Sequence, residues 1–272
     1  MRSHLFAIPV GPNFQSNEIG DRGTDMTLDG KTAFVSGSGH NIGRAIVLEF
    51  AGRGANVVVN GLTDEESAQK VADEARSLGV GAMVSMGNIG DNRQVQEMAK
   101  AAVKQFGGVD IVVNNAAIRP FKPFLEMDEE FWHNVIAVDM NSAFFTGQAF
   151  VPGMVEKGWG RIINITGMNA MHGYNGRCPV SAAKHGLWGI TKSMAKEFGP
   201  KGLTVNAISP GPIEGDYRDE EMGAHIREQE KLIPLGHLGK PMHIAGLCGF
   251  LVSEEGGFVS GQMIACNGAT QT

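Results

Sequence analysis

A chain of 272 residues, 42% of them hydrophobic, buries enough surface for one sizeable α/β domain and is short for two. Its formal net charge of −6, with no run of five basic residues, argues against a phosphate-backbone partner, so no nucleic acid is expected. No apolar run approaches the roughly 18 residues that cross a bilayer, and no signal-peptide pattern opens the chain, so no membrane is expected. The cysteines Cys178, Cys248 and Cys266 form no CxxC pair, which fits a reduced, cytoplasmic protein better than a disulfide scaffold.

Residues 1–25 mix Pro9, Gly11, Pro12, Gly20 and Gly23 with polar residues at no clear period, which predicts an extension outside the core. The remainder, 26–272, reads as one domain. A short apolar strand at Thr32–Ser36 leads through a glycine-rich turn into a helix at Ile42–Ala51. Further strands are expected at Asn56–Asn60, Ala82–Met86, Val109–Asn114, Arg161–Thr166, Leu203–Ile208 and Met263–Cys266, with helix-length segments between them. Strands alternating with helices give an α/β fold, a Rossmann-type doubly wound parallel sheet with helices on both faces. Right-handed crossovers then place ligands at the carboxyl ends of the strands.

The turn Ser36-Gly37-Ser38-Gly39-His40-Asn41-Ile42-Gly43 follows a strand and opens a helix, the setting in which glycines admit a phosphate to free helix N–H groups. Asn114-Asn115-Ala116-Ala117, the stretch Asn206–Ile213 with its Pro210-Gly211-Pro212 turn, and Ser260-Gly261-Gln262 with Asn267-Gly268 follow in order. With these landmarks the chain resembles the short-chain dehydrogenase/reductase family across most of residues 26–272. Asn41 stands at the family's middle glycine and Ala117 at the glycine of NNAG, where a left-handed backbone is less comfortable. The resemblance implies that NAD or NADP is held by Gly37, Gly39, His40, Asn41, Ile42 and Gly43 of the turn. It adds Asn60, Asn88, Ile89, Asn115 and Ala116 at the strand ends, and Lys184, Pro210, Gly211 and Ile213 beyond them. The family's acid after the second strand is replaced by Gly61, with no arginine nearby. The cofactor reading leans to NAD.

The family moves its proton with a Tyr-x-x-x-Lys pair on one helix face. Here Val180-Ser181-Ala182-Ala183-Lys184 keeps the lysine and puts valine at the tyrosine. Thirteen residues earlier, the serine position is Gly167, beside Thr166, and the relay asparagine corresponds to Asp139. Removing a positioned general acid costs roughly 10²–10⁴ in rate, so ordinary carbonyl reduction is expected to be weak unless another group substitutes. His172 and Tyr174, in the loop 167–178 expected over the pocket, are the candidates with suitable chemistry, together with Lys184 and Asp139. Cys178 as a nucleophile and the Ser181-x-x-Lys184 spacing of some acyl-transfer enzymes are alternatives for the same segment. No metal is expected.

Residues 214–232, with Tyr217 and Arg218 as possible contacts, resemble the family's substrate lid, and Phe121, Met140, Met168 and Met171 are expected to form an adaptable apolar wall. The resemblance also implies a homotetramer through the fourth and fifth helices and the last strand. An NAD(P)-dependent oxidoreductase of a small alcohol or carbonyl substrate, with a non-standard active site, is the leading reading. A non-redox lyase, isomerase or hydrolase on the same fold, and a catalytically silent nucleotide-binding protein, remain open beside it.

Overall fold

A computed structural model describes residues 27–216, 224, 226 and 228–272. The expected N-terminal extension, and Tyr217 and Arg218, lie outside the described residues. The strands are β1 (Thr32–Val35), β2 (Asn56–Gly61), β3 (Ala82–Met86), β4 (Ile111–Asn114), β5 (Gly160–Ile165), β6 (Leu203–Pro210) and β7 (Met263–Cys266). They pair in parallel in the order β3-β2-β1-β4-β5-β6-β7. The main helices are α1 (Asn41–Gly52), α2 (Glu65–Ser77), α3 (Asn92–Phe106), α4 (Glu129–Ile136), α5 (Ser142–Lys157), α6 (Cys178–Phe198) and α7 (Pro241–Val252).

The two-residue period of the strands sorts their side chains onto the two faces. Ala33 and Val35 of β1, Val57 and Val59 of β2, and Ile111 and Val113 of β4 face one core with α1, α2 and α7. Phe34, Val58 and Val112 point the other way, against Met98 of α3 and Phe150 and Met154 of α5. Burial on both faces explains why the strands read as unbroken apolar runs. The expected strand starting at Val109 begins two residues later, and β6 runs on to Pro210, whose ring lacks the N–H needed to continue the ladder.

The strand order reverses between β1 and β4, which opens a crevice at their carboxyl ends. Behind that crevice the side chains of β4 and β5 are tied to helices by a buried chain of hydrogen bonds. Thr146 donates to Asn114 at 2.8 Å, Asn114 to Asn164 at 2.8 Å, and Asn164 to Thr191 at 2.9 Å. Between α4 and α5 the helix widens into a π-turn at Ala137–Asn141 that carries buried Asp139, a distortion that re-aims side chains.

Candidate functional site

The glycine turn between β1 and α1 is built by close contact. A Cβ on Gly37, at φ +59°, would lie 2.9 Å from Ala116 Cα, and one on Gly43 would lie 2.4 Å from the Gly37 carbonyl oxygen. Neither position has room for a side chain. Asn41 does adopt the left-handed backbone, at φ 47°, which asparagine tolerates better than most residues. Its Oδ1 accepts from the Asp216 N–H at 2.9 Å. Ala117 shows no positive φ, so losing that glycine demands no strain.

Ser36 and Asn115 lock the turn to the end of β4. Ser36 Oγ accepts from the Asn115 and Ala116 N–H groups at 2.9 and 3.0 Å, and Asn115 Nδ2 donates to the Ser36 and Gly37 carbonyls at 3.0 and 2.9 Å. Asn60 accepts from the Gly37 N–H at 3.1 Å and donates to the Ser85 carbonyl at 2.9 Å. Its amide therefore shapes the turn. At α1, His40 is the N-cap residue but its side chain does not cap, and no acid occupies the first turn. His40 Nε2 instead meets Asp64 Oδ2 at 3.0 Å.

These elements enclose a cleft of about 490 Å³ whose wall includes Gly37, His40, Asn41, Ile42, Gly43, Asn60, Asn88, Ile89, Asn115, Ala116 and Ile213. Eleven of the expected cofactor residues thus share one wall. Gly39 does not; it faces Ser67 and Ala68 at the start of α2. Lys184, Pro210 and Gly211 line an adjoining chamber of about 90 Å³. Ile42 and Arg119 line both spaces, so the chamber opens beside the long cleft.

Lys184, 2% exposed, sits on the chamber wall. Its Nζ donates to the Ile165 carbonyl at 3.1 Å and lies 3.6 Å from Asp139 Oδ2. Asp139 Oδ1 accepts from the Ile118 N–H at 2.7 Å, while Oδ2 has no hydrogen-bond partner. Burial raises the Asp139 carboxyl above its ordinary range against the pull of Lys184, and burial lowers the Lys184 ammonium against the pull of Asp139. Both partners are pushed toward their neutral forms.

The remaining candidates separate. Tyr174 lines the chamber with Val180, Gly167 and Met168. His172 is exposed and absent from that wall, its ring packing edge-on against Tyr174 at 6.1 Å. Thr166 lines the chamber, but its hydroxyl donates to the Ile208 carbonyl at 2.9 Å. Cys178 and Ser181 lie off the wall; the buried Ser181 hydroxyl has no partner. The expected apolar wall shrinks to Met168. Met140 packs on Gly186, Phe121 on Gly176, and Met171 is exposed, because each points from its backbone toward an adjacent helix, a turn or solvent.

Two wall residues, Arg119 and Arg177, were not singled out in the sequence. Arg119 follows the Asn115–Ala117 landmark by two residues and Arg177 is the N-cap residue of α6. Their only signal is proximity to the family motifs. Among the described residues no helix is long and apolar enough to cross a membrane.

Residues 37–269 match the family model described as Enoyl-(Acyl carrier protein) reductase. The chain is 37% identical over 247 residues to the 3-oxoacyl-[acyl-carrier-protein] reductase FabG of Vibrio cholerae serotype O1, covering 89% of this chain and 98% of that protein. It is 38% identical over 243 residues to Nodulation protein G of Azospirillum brasilense, covering 88% and 97% respectively. A solved putative short-chain alcohol dehydrogenase from Sinorhizobium meliloti 1021 superposes with a TM-score of 0.85 at 28% identity, over 90% of this chain and 98% of that one.

Proposed function

The chain belongs to the short-chain dehydrogenase/reductase family, and from that premise we propose an NAD(P)-dependent oxidoreductase that acts on a small alcohol or carbonyl compound through a non-standard active site. The observation that carries this reading is the buried Lys184 on a small chamber that opens beside the long glycine-walled cleft. Relatives named as reductases support redox chemistry.

The cleft fits a dinucleotide. The α1 N-terminus, left without a side-chain cap or first-turn acid, offers free N–H groups and positive dipole to a pyrophosphate. Gly37 and Gly43 keep the backbone bare where it would approach. Bound NAD(P) supplies or accepts the hydride at the substrate carbon. Lys184, fixed by the Ile165 carbonyl, is placed to hold the ribose and to lend positive charge to the chamber. The cofactor is NAD or NADP; Gly61 and Leu62 at the end of β2 give the lean to NAD no charged group to rest on.

The proton at the substrate oxygen needs a local source. Val180 and Gly167 stand where the family has tyrosine and serine and offer no hydroxyl, and the Thr166 hydroxyl is committed to Ile208. Tyr174 is the phenol on the same wall, and we assign it the role of general acid in reduction and general base in oxidation. The Asp139–Lys184 pair, whose lysine shares that wall and whose members are both pushed toward neutrality, can hold a proton on either side. His172 has no place in the chamber. A cytoplasmic homotetramer completes the proposal. Supporting it, an apolar groove of about 480 Å³ between α5 and α6, lined by Phe144, Val151, Val155, Ile190, Met194 and Phe198, is open in the single chain.

Calorimetric titration with NAD, NADH, NADP and NADPH tests the premise, since micromolar binding of one pair is required and binding of none sinks the oxidoreductase reading. Substrate turnover then tests Tyr174. Tyr174→Phe lowers kcat by about 10²–10⁴, whereas His172→Ala leaves it within about twofold. Equal losses in the two variants would remove Tyr174 from its role.

A further inference from the structure

Seven arginines fall among the described residues, and five of them have partners for their guanidinium groups. Arg44 pairs with Glu74, Arg53 with Glu49, Arg76 with Asp73 and Arg93 with Glu97, while Arg161 donates to the Gly160 carbonyl. Arg119 and Arg177 have no side-chain hydrogen bond or ion pair with any described residue, and both line the chamber. Burial, then the like charge of Arg119, lowers the Arg177 guanidinium from its ordinary range, so the two charges are close enough to repel. Arginine stays protonated at neutral pH regardless.

The surrounding charges sharpen the point. In a chain with 29 acids against 23 bases, the described wall of this chamber carries Arg119, Arg177 and Lys184 and neither aspartate nor glutamate. Asp139, whose carboxyl feels the Arg119 charge without a contact to it, is already 3.6 Å from Lys184. Two guanidiniums that repel each other, with no ion-pair or hydrogen-bond partner among the described residues, are arranged for an anion from outside, and their planar forks match a carboxylate or phosphate.

We propose that Arg119 and Arg177 form an anion subsite, so that the substrate is an oxo or hydroxy compound bearing a carboxylate or a phosphate ester close to its reacting carbon. The subsite rests on the oxidoreductase reading for the identity of the reacting carbon. Arg119 also lines the cofactor cleft, so an anion held there sets the remainder of the molecule beside Lys184 and Tyr174. The chamber's volume of about 90 Å³ keeps that remainder small.

Calorimetry on the full chain, with and without NADH or NADPH, tests the subsite using matched pairs of probes. Acetoacetate is compared with methyl acetoacetate, and dihydroxyacetone phosphate with dihydroxyacetone. One charged probe is expected to bind about tenfold to a hundredfold more tightly than its uncharged partner, and which one does so distinguishes carboxylate from phosphate. Arg177→Met and Arg119→Met, which keep the aliphatic stems, each remove that preference, and Arg177→Met, off the cofactor cleft, leaves cofactor affinity within about twofold; Arg177→Lys retains part of the preference. Equal binding of charged and uncharged probes, or a preference that survives both methionine variants, overturns the subsite. So does Arg119→Met weakening the cofactor while leaving the preference intact. A charged preference without any cofactor binding refutes the oxidoreductase and leaves the subsite standing. Cofactor binding without a preference does the reverse.

Discussion

Lys184→Met isolates the energetics of the buried pair. The two charges are 3.6 Å apart, and at an effective dielectric near 20 their attraction is roughly 5 kcal/mol. Removing the lysine leaves Asp139, 2% exposed, with one N–H from Ile118 and an Oδ2 that has no hydrogen-bond partner. Breaking a buried pair from one side costs about 3–5 kcal/mol, which for a domain of this size is roughly 6–20 °C in Tm. The pH dependence follows from the carboxyl. Its pKa is already raised by burial, and it rises further once the lysine is gone. A carboxyl whose folded pKa lies above its unfolded value contributes stability below the unfolded value and loses it as pH rises through the folded one. The variant should therefore be weakest at neutral pH and recover toward pH 4, relative to the parent at the same pH. Adding Asp139→Asn removes the buried charge, and the double variant should be more stable at pH 7 than Lys184→Met alone. Urea unfolding at fixed protein concentration, at pH 4.5 and 7, reads all of this. A cost at pH 7 below about 1 kcal/mol, or no recovery in acid, would show that the pair carries no buried charge.

Gly43→Ala puts a Cβ 2.4 Å from the Gly37 oxygen and 2.7 Å from Asn115 Nδ2, so the turn must move. Stability should fall by about 1–3 kcal/mol in urea unfolding, and calorimetry should show at least tenfold weaker cofactor binding. Asp64→Asn preserves the α2 N-cap but removes a charge 3.0 Å from His40 on the cleft wall. The NADPH-to-NADH affinity ratio should rise roughly tenfold, equivalent to ~1.4 kcal/mol; an unchanged ratio would place the ribose elsewhere. Val180→Tyr with Gly167→Ser should raise reduction of uncharged ketones by about 10²–10⁴, measured by cofactor absorbance. A Cβ at Gly167 meets nothing within 4 Å, yet its φ of +136° makes the serine cost about 1–3 kcal/mol of strain, visible in Tm.

The sheet and the cleft beside its glycine turn were legible because they are written in local pattern. Apolar runs such as Val57–Val59 and Ile111–Val113 announce strands buried on both faces, and a glycine turn between strand and helix announces the cleft wall by position. Even there, motif and role differ. Asn60 and Asn115 lie on the wall as expected, but their amides are occupied in holding the turn. Gly39 belongs to the glycine motif, yet it makes room for α2. A motif records which backbone must be bare or bonded, and only coordinates say toward what.

The small chamber beside it was less legible for a related reason. Its wall is assembled from the ends of β5 and β6, the start of α6 and the segment after β4, residues far apart in the chain with no shared period. His172 and Tyr174 are two residues apart and looked equivalent by chemistry; the backbone sends one to solvent and the other to the wall. Arg119 and Arg177 are not marked by the sequence, because a lone arginine in a loop carries no spacing that singles it out. What marks them is the absence of a carboxylate partner among the described residues, set against five arginines that each have a partner. Charge that a fold leaves unbalanced in a concave wall is a property of the assembled surface. On the proposed reading, in which Arg119 and Arg177 bind and Tyr174 transfers the proton, the substrate's charge is read from residues other than those that carry the chemistry.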